Sequence, residues 1–88
     1  MLTPQQSRAA RGWLDWNQEE LAQRANVSLS TVRNFEKGRN APIKNNLDAM
    51  RQAIEAAGLR LAFKENGSPL GVLADALEEH DKQSGAAR

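Results

Sequence analysis

The stretch Asn17–Gly38, NQEELAQRANVSLSTVRNFEKG, reads as two short helices meeting at a tight turn. Asn17 is a good N-cap, and Glu20 stands three residues on, where its carboxylate can reach back to the cap backbone. Leu21, Ala22 and Ala25 follow as an apolar stripe, so the first helix of the pair is predicted over residues 18–25. Asn26 then stands where helices commonly end in a left-handed residue, a conformation that Asn tolerates. Ser28 caps the next helix. On a wheel of about 100° per residue, Val32 and Phe35 point one way, while Ser30, Arg33, Asn34 and Lys37 point the other. Leu29 falls between the two faces, placed either to pack at the helix start or to meet a thymine methyl group, and Gly38 closes the helix. One face packs and the other is free. A polar, basic second helix held by a short turn is how a recognition helix is presented to the DNA major groove.

Glu36 sits one step around the wheel from Val32, on the packed side, and a charge there needs a partner. Upstream, Arg11 lies at the edge of a stripe made by Ser7, Ala10 and Leu14. A partly buried, bidentate Arg11–Glu36 pair is therefore expected to lock the first helix of the chain onto the recognition helix.

These residues resemble the helix-turn-helix domains of the Cro and phage-repressor type, also called the xenobiotic-response-element family. The resemblance covers residues 4–60 and rests on Arg11, the run Trp16-Asn17-Gln18-Glu19-Glu20-Leu21-Ala22, Val27-Ser28, Thr31-Val32, and Glu36-Lys37-Gly38 followed by Pro42. By that resemblance Gln18 reaches a phosphate from the start of its helix. Leu29, Ser30, Arg33 and Asn34 fall at the family's base-reading positions, and Asn17, Lys37 and Arg39 at its backbone-contacting ones. Two positions depart from the pattern: Asn26 stands where Gly is usual, and Ser7 where an aliphatic residue is usual. The second departure implies a weaker core contact for the first helix.

Composition bounds the rest. A chain of 88 residues makes one small domain, which buries only about 60–65% of its unfolded surface, so dimerisation would add stability. Without cysteine there is neither a disulfide framework nor a thiolate metal site, and no metal or cofactor is expected. No signal peptide and no long apolar run is visible, which fits a soluble, cytoplasmic, nucleoid-associated protein with no membrane partner. The net charge is only +1. Split along the chain, residues 1–44 carry seven Lys or Arg against four acids, giving +3, and residues 45–88 carry five against seven, giving −2. Basic charge thus gathers around the recognition helix, as expected when one face meets phosphates.

Thr3-Pro4 with Gln6 supplies an N-cap, a proline at the first helical position and a capping-box partner, which predicts a helix over residues 4–14. Trp13 and Trp16, near the interhelix link, are expected to plug the edge of the core, and neither is assigned to DNA. After the loop 39–43, Leu47, Met50, Ile54 and Ala57 recur at helical steps in a fourth helix that begins near Lys44 and stops at Gly58. Asn45 and Asn46 are placed either to donate to phosphate or to cap that helix. The core is expected around Leu14, Leu21, Val27, Val32, Phe35, Leu47, Met50 and Ile54. The architecture is then mostly α: a four-helix domain over residues 1–58, a strand or hairpin and a small helix over 59–82, and a disordered tail over 83–88.

Beyond Gly58 the period changes. Residues 59–64 alternate apolar with mostly polar side chains, Glu65-Asn66-Gly67-Ser68-Pro69 is a strong turn signal, and Leu70-Gly71-Val72 follows. A lone two-stranded hairpin is marginal in water, so the row Leu59, Leu61 and Phe63 is expected to pair with a second copy of the chain. The alternative is that it folds back on its own fourth helix. Residues 73–82 read as a short amphipathic helix rich in acids, either a further dimer element or a docking surface, with His80 on the surface near its end.

No nucleophile and base pair, metal cluster or glycine-rich phosphate loop is present, which argues against an enzyme. The leading reading is a sequence-specific regulator of transcription that binds double-stranded DNA as a homodimer on a palindromic operator. Repression is its simplest action, because a domain this small is expected to hold no ligand pocket and little surface for recruiting polymerase. The alternative is an antitoxin that represses its own operon and binds a cognate toxin through the C-terminal segment.

Overall fold

Thr3 opens the first helix. Its hydroxyl accepts from the Gln6 backbone N–H and the Gln6 side-chain oxygen accepts from the Thr3 N–H, both at 3.2 Å, a reciprocal capping box with Pro4 at the first helical position. The computed structural model describes residues 1–39 and 42–74. Four helices, α1 (Pro4–Leu14), α2 (Gln18–Ala25), α3 (Leu29–Glu36) and α4 (Lys44–Ala56), lead into a hairpin of β1 (Leu59–Phe63) and β2 (Pro69–Ala74). The protein is mostly α, with a terminal two-stranded antiparallel sheet.

The short helices stop where left-handed residues turn the chain. Asp15 (φ 60°) ends α1 and Asn26 (φ 58°) ends α2, so the usual Gly after α2 is replaced by a residue that, among those with a side chain, holds that conformation well. Asn17 caps α2 by accepting from the Glu20 N–H at 2.7 Å, while the Glu20 carboxylate, expected to reach back, instead takes Arg24 at 2.7 Å. Ser28 caps α3 through the Thr31 N–H. These caps fix the angle between α2 and α3.

The core gathers Leu2, Ala10, Leu21, Ala22, Ala25, Val32, Phe35, Leu47, Met50, Ile54 and Leu59. Leu14 and Val27, expected inside, lie partly buried at its edge. Trp16 also packs there, with the Arg24 guanidinium 4.5 Å above its ring. Trp13 does not: it is 55% exposed, because it follows Ala9 on the outer side of α1, away from Ala10.

The hairpin folds onto its own helices α1 and α4. Its turn is closed by Gly67 (φ 91°) and by the Asn66 side chain, which accepts from the Ser68 N–H at 2.9 Å. The register pairs Leu59 with Ala74 and Leu61 with Val72, and a bulge at Leu70 shifts Phe63 opposite Pro69. Leu73 and Ala74 continue β2, where pairing with Arg60 and Leu59 satisfies their backbone; the expected helix over 73–82 therefore does not begin there, and the rest of it, with His80 and the tail, lies outside the described residues. Gln6 ties the hairpin down. Its amide nitrogen donates to the carbonyls of Ala62 and Gly71, each at 3.1 Å, while its oxygen holds the Thr3 cap, so this buried side chain is bonded at both ends.

Gln6→Glu should separate these two roles. A carboxylate still accepts from Thr3 but faces the Ala62 and Gly71 carbonyls without a donor. Hydrogen exchange at neutral pH should show β1 and β2 amides losing protection while α1 keeps its own. Unchanged protection of the hairpin would show that the Gln6 amide is not what holds it.

Candidate nucleic-acid interface

The site is built around a charge that would otherwise be intolerable. The Glu36 side chain is only 2% exposed at the inner end of α3. Its Oε1 accepts from Arg11 Nη2 at 2.7 Å and from Gln18 Nε2 at 3.1 Å, and its Oε2 accepts from Arg11 Nε at 2.9 Å and from the Ser7 hydroxyl at 2.5 Å. Burial by itself pushes this carboxyl up, but the bonds from Arg11, Ser7 and Gln18 outweigh it and hold the group below its ordinary value. Arg11 also donates to the Trp16 carbonyl, and Arg8 to the Glu36 carbonyl. One carboxylate thus joins α1, α2 and α3. Ser7, fully buried, makes a polar tie here at the position where an aliphatic residue is usual in the family.

Around this anchor α3 presents its outer face. Ser30, Arg33, Lys37 and Arg39 are exposed, whereas Leu29 and Asn34 are half-buried, Leu29 against the core. The Ser30 hydroxyl lies 3.1 Å from that of Ser28. Asn34 and Ser30 border a shallow polar cleft of about 270 Å³ against Pro42 and Asn46 at the start of α4. Asn17 caps α2 at the surface, and Gln18 beside it is half-buried, held by Glu36. Asn45 is exposed in the first turn of α4, whose cap, Ile43, supplies no side-chain bond. Cation partnership divides sharply. Arg11, Arg24, Lys44 and Arg51 each pair with a carboxylate, while the side chains of Arg33, Lys37 and Arg39 engage no partner among the described residues.

Residues 8–55 match the model of a family described as helix-turn-helix. The chain belongs to the helix-turn-helix family of Cro and phage-repressor type. A relative, the multiprotein-bridging factor 1 of Schizosaccharomyces pombe, is 36% identical over 67 residues, which cover 76% of this chain and 41% of that protein. At the general level the protein is a DNA-binding regulator of transcription. No helix among the described residues is long and apolar enough to cross a membrane.

The row Leu59, Leu61 and Phe63 lies on the inner side of the hairpin. Leu59 is 2% exposed in the core and Leu61 packs against it, so the chain's own helices cover much of this row. The large apolar side chains left exposed nearby are Leu70 (62%), Leu73 (50%) and Trp13. An apolar cleft of about 430 Å³ opens beneath the hairpin tip. Sequence reading missed it because its walls come from segments far apart in the chain.

Glu36→Ala leaves the Arg11 side chain, 19% exposed, without its carboxylate. The loss in urea unfolding should be about 3 kcal/mol, well above that of a surface pair. Because the folded value is depressed below 4.5, the contribution should be complete above about pH 4.5 and fade as the pH falls through the folded value. A loss under about 0.5 kcal/mol would mean that water already screens the pair.

Proposed function

We propose that the protein is a sequence-specific repressor that binds a palindromic operator as a homodimer, with α3 in the major groove. The observation that carries this reading is the set of cations Arg33, Lys37 and Arg39, on α3 and at its exit, whose side chains have no partner among the described residues, while the other helix cations are mostly paired. Leu29, Ser30, Arg33 and Asn34 are assigned to base edges. Asn17, Gln18, Lys37 and Arg39 are assigned to the phosphate backbone, with Gln18 oriented by its bond to Glu36 at the N-terminus of α2. A location in the cytoplasm, on the nucleoid, goes with this role.

The two classes of contact have different signatures. Arg33→Ala should weaken the cognate site far more than random DNA, by about 1–3 kcal/mol. Lys37→Ala should weaken both alike and flatten the dependence of log affinity on log salt by about 0.9 for each phosphate contact. Filter binding on a selected site and a random duplex, across a salt series, measures both. Equal losses for Arg33→Ala on the two DNAs would move Arg33 to the backbone.

Two recognition helices on a palindrome stand about 34 Å apart, and the two-fold contact needs an apolar surface. Leu70, Leu73 and Trp13 supply it better than the inward row does, since Leu70 and Ala9 share one small cleft and Trp13 follows Ala9 by one helical turn. Leu70→Asp with Leu73→Asp should then give a folded monomer in sedimentation, with operator binding weakened by loss of the second half-site. If the double variant still dimerises at micromolar concentration, this face is free for a different protein. The likeness to a multiprotein-bridging factor favours that second reading.

A further inference from the structure

Along α1, Gln5, Ala9, Gly12 and Trp13 are all exposed. At about 100° per residue they fall within one arc of about 100°, and none of them is charged. That arc holds both a projection and a hollow. Trp13 is the projection, an indole left 55% exposed. The hollow is a cleft of about 270 Å³, with Gln5 and Ala9 of α1 on one side and Pro69 and Leu70 of β2 on the other. Trp13, one turn further along the helix, does not line it. Gly12 adds a third observation. Glycine inside a helix is costly, yet a Cβ at this position would meet nothing within 4 Å, so the chain's own described residues give no steric reason for it.

A projection and a hollow on one uncharged face are left apart within a single chain, but a two-fold axis brings them together. A helical rise of about 1.5 Å per residue puts Trp13 about 6 Å from Ala9 along α1. An axis that crosses midway between them lays α1 antiparallel on its copy and sets each Trp13 at the level of Ala9 in the other protomer. Gly12 then stands beside the crossing point, where the two backbones come closest. Absence of charge favours a second copy as the occupant, since charges near a two-fold axis would face their own equivalents. We propose that Trp13 of each protomer enters the cleft of the other between Gln5, Ala9 and Leu70, a reciprocal interlock that holds the homodimer. The inference rests on the proposed homodimer and names how its two faces fit. The indole leaves water for the apolar walls of Ala9, Pro69 and Leu70. Gln5, whose side chain has no partner among the described residues, offers the ring N–H an acceptor.

The chain has two tryptophans, so the full chain carrying Trp16→Phe reports on Trp13 alone. Its emission and its quenching by acrylamide are followed over a dilution series, with sedimentation of the same samples giving the fraction of dimer. Trp13 emission should move to the blue and quenching should fall severalfold as dimer forms. Trp13→Ala and Ala9→Gln, which fills the cleft, should each weaken dimerisation about tenfold or more. An equimolar mixture of those two variants should associate more tightly than either alone, because the mixed dimer keeps one Trp13 facing one open cleft. Gly12→Gln should weaken the dimer while leaving the monomer at least as stable to urea, since the space there is open and glutamine is the better helix former. A Trp13 signal that is the same in monomer and dimer, or no gain on mixing the two variants, would overturn the interlock and leave the homodimer standing. A chain that sediments as a monomer at every concentration would overturn the homodimer itself and the interlock with it.

Discussion

A buried carboxylate that three helices must neutralise sets the geometry of this domain. Glu36 stands at the end of α3 facing inward, and such a charge is tolerable only with its hydrogen bonds made. Ser7 and Arg11 satisfy it from α1, and Gln18 from the first residue of α2. The requirement is directional, since a guanidinium fork meets a carboxylate in few arrangements. A rotation of α3 about its axis would break these bonds together. The outward face of the same helix is therefore aimed by a contact on its inward face, and a short helix of 8 residues gains an orientation that its few apolar contacts would not define.

Much of this is legible in the chain because it is local. Thr3, Asn17 and Ser28 mark helix starts by capping chemistry that acts over three residues, and Asn26 marks a stop by its own backbone preference. The Arg11–Glu36 pair follows from the wheel alone, since a charge on a packed face needs a partner. What the chain hides is non-local. Ser7 reads as a missing aliphatic contact until the Glu36 carboxylate is seen beside it. Gln6 reads as a capping partner and nothing more, because its second role depends on a hairpin more than 50 residues away. The hairpin's inward row reads as a surface for a second copy, with its own fourth helix as the alternative, for the same reason: alternation shows that one face is apolar without showing what covers it. Trp13 and Trp16 give the same composition signal, but Trp13 is turned outward on α1 while Trp16 lies past its end, in the link that packs against the core.

The hairpin is thus part of the domain's packing. Gln6 clamps it to the start of α1, Leu59 enters the core beside α4, and its tip forms one wall of a cleft that also touches Phe35 and Gly38 of the recognition element. A two-stranded sheet is marginal alone, so its order is borrowed from those contacts.

Charge follows the same division of surfaces. The exposed pairs Glu20–Arg24, Lys44–Asp48 and Arg51–Glu55 run along single helices at four-residue spacing and contribute little to stability, but they neutralise the cations of α2 and α4 locally. On α3 the only acid is Glu36, and it is turned inward and bound to Arg11. That inward turn has two consequences. It locks the helix, and it keeps the one acid of α3 off the face that carries Arg33 and Lys37. The excess of basic residues on the outer face of α3 is therefore a product of the same burial that holds the fold, and on the proposed reading an acid introduced on that outer face would blunt DNA attraction even in a protein that still folded.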